Sequence, residues 1–465
     1  MSNSNPPPRP PAPLALSLLA ALWAIPMQTL AYSEQGRLHD AASWRSDEFN
    51  LSWGLGAIGA DAAYARGLSG SGVRLGIVDT GVDLRHGEFA GKTHHALRLA
   101  DPGCGRETLP SGASAGCFFS EGDRASIEYN DLPPGALKAL QELVADGDLS
   151  QDELTRYINT LGTRYNPHGT HVAGTMLANR DGAGNHGVAY AASLSTVRSF
   201  SNIYNFLPHR FGYSQSIAPT HADAFADAYG QLQAQNVRAI NHSWGLTGDL
   251  DTVDQLDAAL QSIGADEGAA LANGSQNTGV LQVFAAGNTR PQSPATTPQT
   301  APLAGVLASL PRAIPALEPY WLSVVNVNSS LSLDAGSMRC GYSMDWCLAA
   351  PGTEVRSSIV SGEIDVEKRY DVDGEVNGFN TLADRPTFNY ATYSGTSMAA
   401  PHVTGSLGVL MERFPYLSNP QIRDVLLTTA QDLGEPGVDD VYGWGLIDLK
   451  KAIDGPGQLR VDTTV

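Results

Sequence analysis

Hydrophobic positions along this chain follow two alternating patterns. Short, mostly apolar runs at residues 73–78, 193–198, 238–241, 280–285 and 322–327 read as buried strands. Between several of them, apolar residues recur at helical spacing, as at 222–235 and 252–263. Strand alternating with helix predicts an α/β domain: a mostly parallel sheet with helices on both faces. Ligands bind such sheets at the carboxyl ends of the strands. The first run stops at Asp79, and Asn288 follows closely on the run at 280–285.

The same pattern marks the interruptions. Residues 95–162 read as an insertion with a helical hairpin. Ser150 and Glu153 have capping-box spacing there, and Leu154, Tyr157, Ile158 and Leu161 are expected on one helical face. Asp146-Gly147-Asp148 reads as a plain turn, because the ligand spacing of a calcium-binding EF-hand is missing. Residues 290–319 form a Pro-rich loop, 361–389 an acidic, Gly-punctuated insertion, and 455–465 a terminal linker. Around these the expected organisation is a leader at 1–31, an N-terminal extension at 32–55 and the main domain at 56–454.

Charge narrows the partners. With 29 basic against 48 acidic residues the net charge is −19, which disfavours nucleic acid and anionic lipid surfaces. A monomer is expected. The apolar run at 14–25 is short for a bilayer span and precedes Thr29-Leu30-Ala31, which supplies small residues at the positions a signal peptidase reads. Export is therefore expected, with no membrane span after it. Cys104 with Cys117, and Cys340 with Cys347, are close pairs that suit two local disulfides; four buried thiols are the alternative. Neither spacing suits a zinc module, so no metal is expected.

Candidate chemistry lies in three distant stretches: Asp79-Thr80-Gly81-Val82-Asp83, His168-Gly169-Thr170-His171-Val172-Ala173-Gly174 and Gly395-Thr396-Ser397-Met398-Ala399-Ala400-Pro401. A serine hydroxyl is a poor nucleophile until a base takes its proton, and a carboxylate can fix and stabilise that base. Ser397, His168 and Asp79 supply those three groups. Pro167 suits a helix starting at His168, and Ser397 begins another, with Pro401 expected in its first turn. The order Asp, His, Ser separates this arrangement from other serine hydrolases, and an α/β-hydrolase elbow fails because Ala399 stands where Gly is required.

Order and flanks together resemble the subtilisin-like serine proteases, the subtilases. That resemblance implies a three-layer subtilisin-like fold and an endopeptidase working through an acyl-enzyme on Ser397. It implies Asn288 as the oxyanion donor, and Ser243, Trp244 and Gly245 facing Ala285 and Gly287 as the walls of the substrate site. It makes His168 the base and leaves His171 and His402 structural. No cofactor is implied, although calcium stays open. More narrowly, the stretches 53–60 and 452–457 and the early cysteine pair resemble passenger domains of bacterial autotransporter subtilases. A secreted or cell-surface bacterial protein follows. No barrel-like strand series comes after residue 455, so either a fragment or a stand-alone enzyme is expected. The competing function is a catalytically silent passenger serving as adhesin or scaffold.

Overall fold

A computed structural model describes residues 32–100, 118–130, 132, 135–159, 161–199, 202–205, 214–217, 222–245, 250–262, 274–289, 296–370 and 376–456. The expected leader, Cys104, Cys117 and residues 457–465 lie outside them. The chain divides after Ser33 into two units, the larger running from Glu34 to Val465.

Seven parallel strands form the central sheet. Across it run Cys347–Pro351, Trp321–Val327, Leu281–Ala285, Ala239–His242, Arg74–Asp79, Ser193–Arg198 and His95–Ala96. Every pairing is parallel. Side chains alternate between faces with a period of two, so each strand feeds two cores. Leu75, Ile77, Leu281, Val283, Leu322 and Val324 pack on one side with the helices His168–Leu177, Thr396–Arg413 and Asn419–Thr428. Val78, Phe284, Trp321, Val325 and Val327 pack on the other with Ala222–Ala234 and Val253–Ser262. This is the three-layer α/β arrangement the alternation predicts. Among the described residues no helix is long and apolar enough to cross a membrane.

The N-terminal segment joins the first of these cores. Short helices at Asp47–Asn50, Trp53–Ala57 and Ala60–Tyr64 bury Phe49, Leu55 and Tyr64 there. Its Trp53 indole N–H donates to Thr353 O at 2.9 Å.

The helical hairpin forms as Ala136–Ala145 and Gln151–Ile158, with the Ser150–Glu153 capping box closed in both directions. Its buried face corrects the expectation. Leu154 meets Leu140 and Leu149, with Tyr157 at the margin, but Ile158 and Leu161 are exposed. The helix ends at Ile158, so Leu161 has no helical face to share.

The described part of the Pro-rich loop holds three short 3-10 segments, Pro298–Thr300, Leu310–Arg312 and Pro315–Tyr320. The acidic insertion belongs to a long antiparallel hairpin. Val355–Tyr370 pairs with Val376–Tyr393, from Val355 opposite Tyr393 to Tyr370 opposite Val376, and the register shifts after Asp365 and again after Arg369. Val360 and Ile364 of the outgoing strand pack on Ala125 and Ile127 of the earlier insertion and on Tyr165 just after it. The return strand runs straight into the helix that begins at Thr396.

Candidate active site

Asp79 is the last residue of its strand and 1% exposed. Its Oδ1 accepts from Thr80 N at 2.7 Å and faces His168 Nδ1 at 2.7 Å. A carboxylate accepts, so the proton of this tautomer sits on Nδ1 and the Nε2 lone pair is left for chemistry.

The helix His168–Leu177 starts after Pro167, which offers no side-chain cap. Asn166 takes that role: its Oδ1 accepts from His168 N at 3.0 Å and from Thr80 Oγ1 at 3.4 Å. Thr80 Oγ1 in turn accepts from Gly169 N at 3.0 Å. Only glycine fits at 169, since a Cβ would stand 2.4 Å from Gly81 O. These contacts press the helix start against the Asp79 turn. Asn166 and Thr80 were not singled out from the sequence; an Asn two positions before a helix start is the signal that marks the first.

Ser397 sits in the first turn of Thr396–Arg413 and is partly exposed. Gly395 before it has φ 152°, a backbone state that side chains disfavour. Ser397 Oγ donates to Ser243 O at 3.1 Å, and Ser243 Oγ donates to Ser397 O at 2.8 Å. Pro401 explains the second bond. The helix begins at Thr396, so Pro401 lies beyond the first turn expected for it, and it has no N–H to give Ser397 O. Ser243 supplies the missing donor and is itself held by Asn241 Nδ2 at 2.9 Å, with Thr404 Oγ1 on Asn241 Oδ1 at 3.0 Å. No hydrogen bond joins Ser397 Oγ to His168 in this structure, although the helices carrying them pack together.

Asn288 follows the strand Leu281–Ala285 and is exposed. Thr396 donates to its Oδ1 from N at 2.9 Å and from Oγ1 at 3.1 Å. An N–H can only donate, so the atom facing it is the carbonyl oxygen and the Nδ2 donors point elsewhere. Asn288 is thereby fixed one residue from Ser397.

Of the other candidates, Ser243 and Ala285 are buried, Gly287 is half-buried and Gly245 exposed. Gly287 N donates to Thr396 Oγ1 at 3.2 Å, which brings that segment to the start of the Ser397 helix. The Trp244 indole is turned inward: Nε1 donates to Val78 O at 2.8 Å, and the ring meets His242 and Phe284 edge-on. Cys340 and Cys347 are joined in a disulfide.

Electrostatics separate His168 from the other histidines. Burial, the largest influence, opposes its imidazolium, yet the Asp79 charge, the hydrogen bond to it and the more distant Glu128 together hold the pKa above 6.5. The ring keeps 31% of its surface open, so the carboxylate prevails over burial. His171 lies one helical turn on and is fully buried. Its Nε2 faces Val355 O and Ala391 O, both at 3.1 Å, and its ring stacks on Tyr393. Carbonyls only accept, so Nε2 carries its proton, and burial pushes the pKa down to about 3. His402, with Nδ1 on Met398 O at 2.9 Å, is pushed by burial to about 4.

Burial likewise lowers His186 to about 3 and His94 and His242 to about 4. For each of these five, the unfolded chain binds the proton first as pH drops below about 6.5, so stability is lost there, by up to about 1.4 kcal/mol per pH unit per group. His168 and Glu88 act in the opposite sense. Glu88, raised by burial to about 8, gives stability below that value, and the raised pKa of His168 gives stability that is lost as pH climbs through it. His86, also lowered by burial, adds to the five, and Glu48, raised by burial, adds to the two, so the buried histidines still outnumber the groups that oppose them. The urea midpoint is expected to be lower at pH 5.5 than at 7.5, and an unchanged or higher midpoint contradicts this burial pattern.

Comparison with known proteins follows the same lines. The sequence model of the Subtilase family matches residues 70–445. An extracellular serine protease of Serratia marcescens is 30% identical over 92% of this chain and 36% of its own length. The Neisserial autotransporter lipoprotein NalP of Neisseria meningitidis serogroup B is 28% identical over 52% of this chain and 23% of its own. The crystal structure of fervidolysin from Fervidobacterium pennivorans gives a TM-score of 0.51 at 23% identity, over 89% of this chain and 47% of that one, a likeness of fold. The chain spans about a third of the length of the Serratia relative.

Proposed function

Because the chain belongs to the subtilase family of peptidases, we propose that it is an exported serine endopeptidase with Ser397 as nucleophile. The observation that carries this reading is the 2.7 Å hydrogen bond from His168 Nδ1 to Asp79 Oδ1, which leaves Nε2 free to act as a base. With a polypeptide bound, Ser397 Oγ leaves the Ser243 carbonyl, turns to His168 and attacks the scissile carbonyl carbon. His168 Nε2 takes the hydroxyl proton, and Asp79 stabilises the imidazolium. The negative charge on the substrate oxygen falls to Asn288 Nδ2 and to Ser397 N, one of the free amides of a helix start. The C–N bond then breaks, the amine leaves with the proton from His168, and water releases the acyl group by the same route in reverse. The segments 243–245 and 285–287 flank the bound chain.

Export is the second part of the proposal. It is supported by the leader-like residues 1–31, by the extracellular and autotransporter names of the relatives, and by the Cys340–Cys347 disulfide, since such bonds persist in oxidising compartments.

The test is an unfolded polypeptide incubated with the protein and searched for new N-termini. Cleavage is expected. Asn288→Ala is expected to lower kcat by roughly 10²- to 10³-fold with little change in KM, a magnitude borrowed from the equivalent change in a subtilisin. Absence of new N-termini returns the chain to a silent adhesin or scaffold, and an unchanged kcat in Asn288→Ala removes the oxyanion role.

A further inference from the structure

The long hairpin carries one side chain whose contacts reach the segments of all three proposed catalytic residues. Asp384 lies on the return strand, opposite Ile364. Its Oδ2 accepts from Arg85 Nη1 at 2.5 Å and from the Tyr165 hydroxyl at 3.2 Å. Arg85 belongs to the turn that leaves Asp79. It grips the fully buried Asp83 through Nε at 2.8 Å and Nη2 at 2.7 Å, and Asp83 N donates to Thr170 Oγ1 at 3.0 Å in the His168 helix. Tyr165 ends the strand Gly162–Tyr165, from which the chain passes through Asn166 and Pro167 to His168. The strand that bears Asp384 continues through Tyr393 to Gly395 and Ser397.

We propose that Asp384 is a positioning residue for the reaction, fixing the Asp79 turn and the approach to His168 against the strand that delivers Ser397. The role rests on the peptidase reading above and extends it to a residue remote from the reacting atoms. A carboxylate suits the position because one oxygen serves two donors on different segments, and charge strengthens both bonds. The Arg85 guanidinium holds the Asp384 carboxyl below its ordinary pKa, so it stays ionised wherever His168 is neutral. Neighbouring contacts align the same two segments: His86 Nε2 meets Asn389 O at 3.1 Å, and the Tyr390 hydroxyl donates to Glu88 Oε1 at 2.6 Å. The apolar packing of Val360 and Ile364 on Ile127 and Tyr165 gives the hairpin a firm seat, so a shift at Asp384 passes to its root.

The hairpin also supplies an internal control. Arg385 and Glu363 form a pair whose side chains are 77% and 80% exposed, and exposed pairs of that kind contribute little. Arg85 and Asp384 are 26% and 31% exposed and share further partners.

The experiment compares wild type, Asp384→Asn, Tyr165→Phe, the double variant and Glu363→Gln. Active sites are counted by fluorophosphonate titration, and thermal melts are recorded beside kcat and KM. Asp384→Asn and Tyr165→Phe are each expected to lower kcat per titrated site by roughly tenfold, with KM within about twofold, since misplacing reacting groups costs rate more than binding. The double variant is expected to fall no further than the worse single one, because both remove the same link. Glu363→Gln is expected to match wild type. Variants that melt earlier yet keep full kcat per site overturn the role, as do losses that multiply in the double variant. A wild type that no fluorophosphonate labels removes the peptidase reading and this role with it, whereas normal labelling with unchanged Asp384→Asn kinetics overturns the role alone.

Discussion

Replacing Ser397 with Ala is expected to lower kcat/KM by about 10⁶-fold while leaving the fold intact, a magnitude taken from subtilisin, a member of the same family, rather than computed from this site. The loss is large because nothing else described at the site can form the acyl bond. Ser243 Oγ is committed to Ser397 O and receives Asn241 Nδ2. Thr396 Oγ1 is committed to Asn288. The structural cost is small, since the hydroxyl is partly exposed and its one bond, to Ser243 O, is 3.1 Å long. An unchanged melting temperature beside a residual rate still roughly 10³- to 10⁴-fold above the uncatalysed one, left by the oxyanion donors and binding, is the expected pair. Residual activity above about one hundredth of wild type points to another nucleophile and contradicts the assignment.

Asp79→Asn is expected to lower kcat by about 10⁴-fold, again the order found in subtilisin. The amide is isosteric. Its oxygen can still accept from Thr80 N and His168 Nδ1, which makes loss of charge the main change. Without that charge the burial of His168 is opposed only weakly, so the histidine pKa drops from above 6.5 toward lower values. Two signatures follow together: a much lower rate plateau, because the imidazolium of the transition state has lost its partner, and an acid limb moved to lower pH. A variant with the plateau reduced but the limb unmoved shows that Asp79 does not set the base.

Much of the fold was legible because burial in a parallel sheet leaves a plain mark. The run ending at Asp79 and the run at 322–327 are apolar on both faces, and the structure supplies a core on each side of them. The helix at 168–177 was legible from Pro167 before it, and that at 396–413 as a helical stretch expected to begin at Ser397. The hairpin was not read, although Ile364 and Val366 alternate with Glu363, Asp365 and Glu367 at strand period. Gly374, Gly378 and Pro386 break the strand period beyond that stretch. Asp384 could not have been found at all from the sequence, because its partners Arg85 and Tyr165 lie far from it in the chain and meet it only when the hairpin packs on the Asp79 turn and the approach to His168. Trp244 carries a related lesson. Sequence neighbours place its backbone near the site, but the indole is taken by Val78 O and the aromatic cluster of the core. Pro401 shows the reverse, a local residue whose effect is tertiary: its missing N–H frees the carbonyl that Ser243 binds.

The proposed chemistry requires that neutral His168 prepares Ser397 for attack, and the rate of fluorophosphonate labelling at Ser397 as a function of pH measures that step with no substrate specificity involved. A histidine held up by Asp79 predicts labelling on Ser397 that rises through a single ionisation above pH 6.5, levels off, and disappears in His168→Ala. Labelling that is flat from acid to alkaline pH, survives in His168→Ala or falls on a different serine contradicts the account.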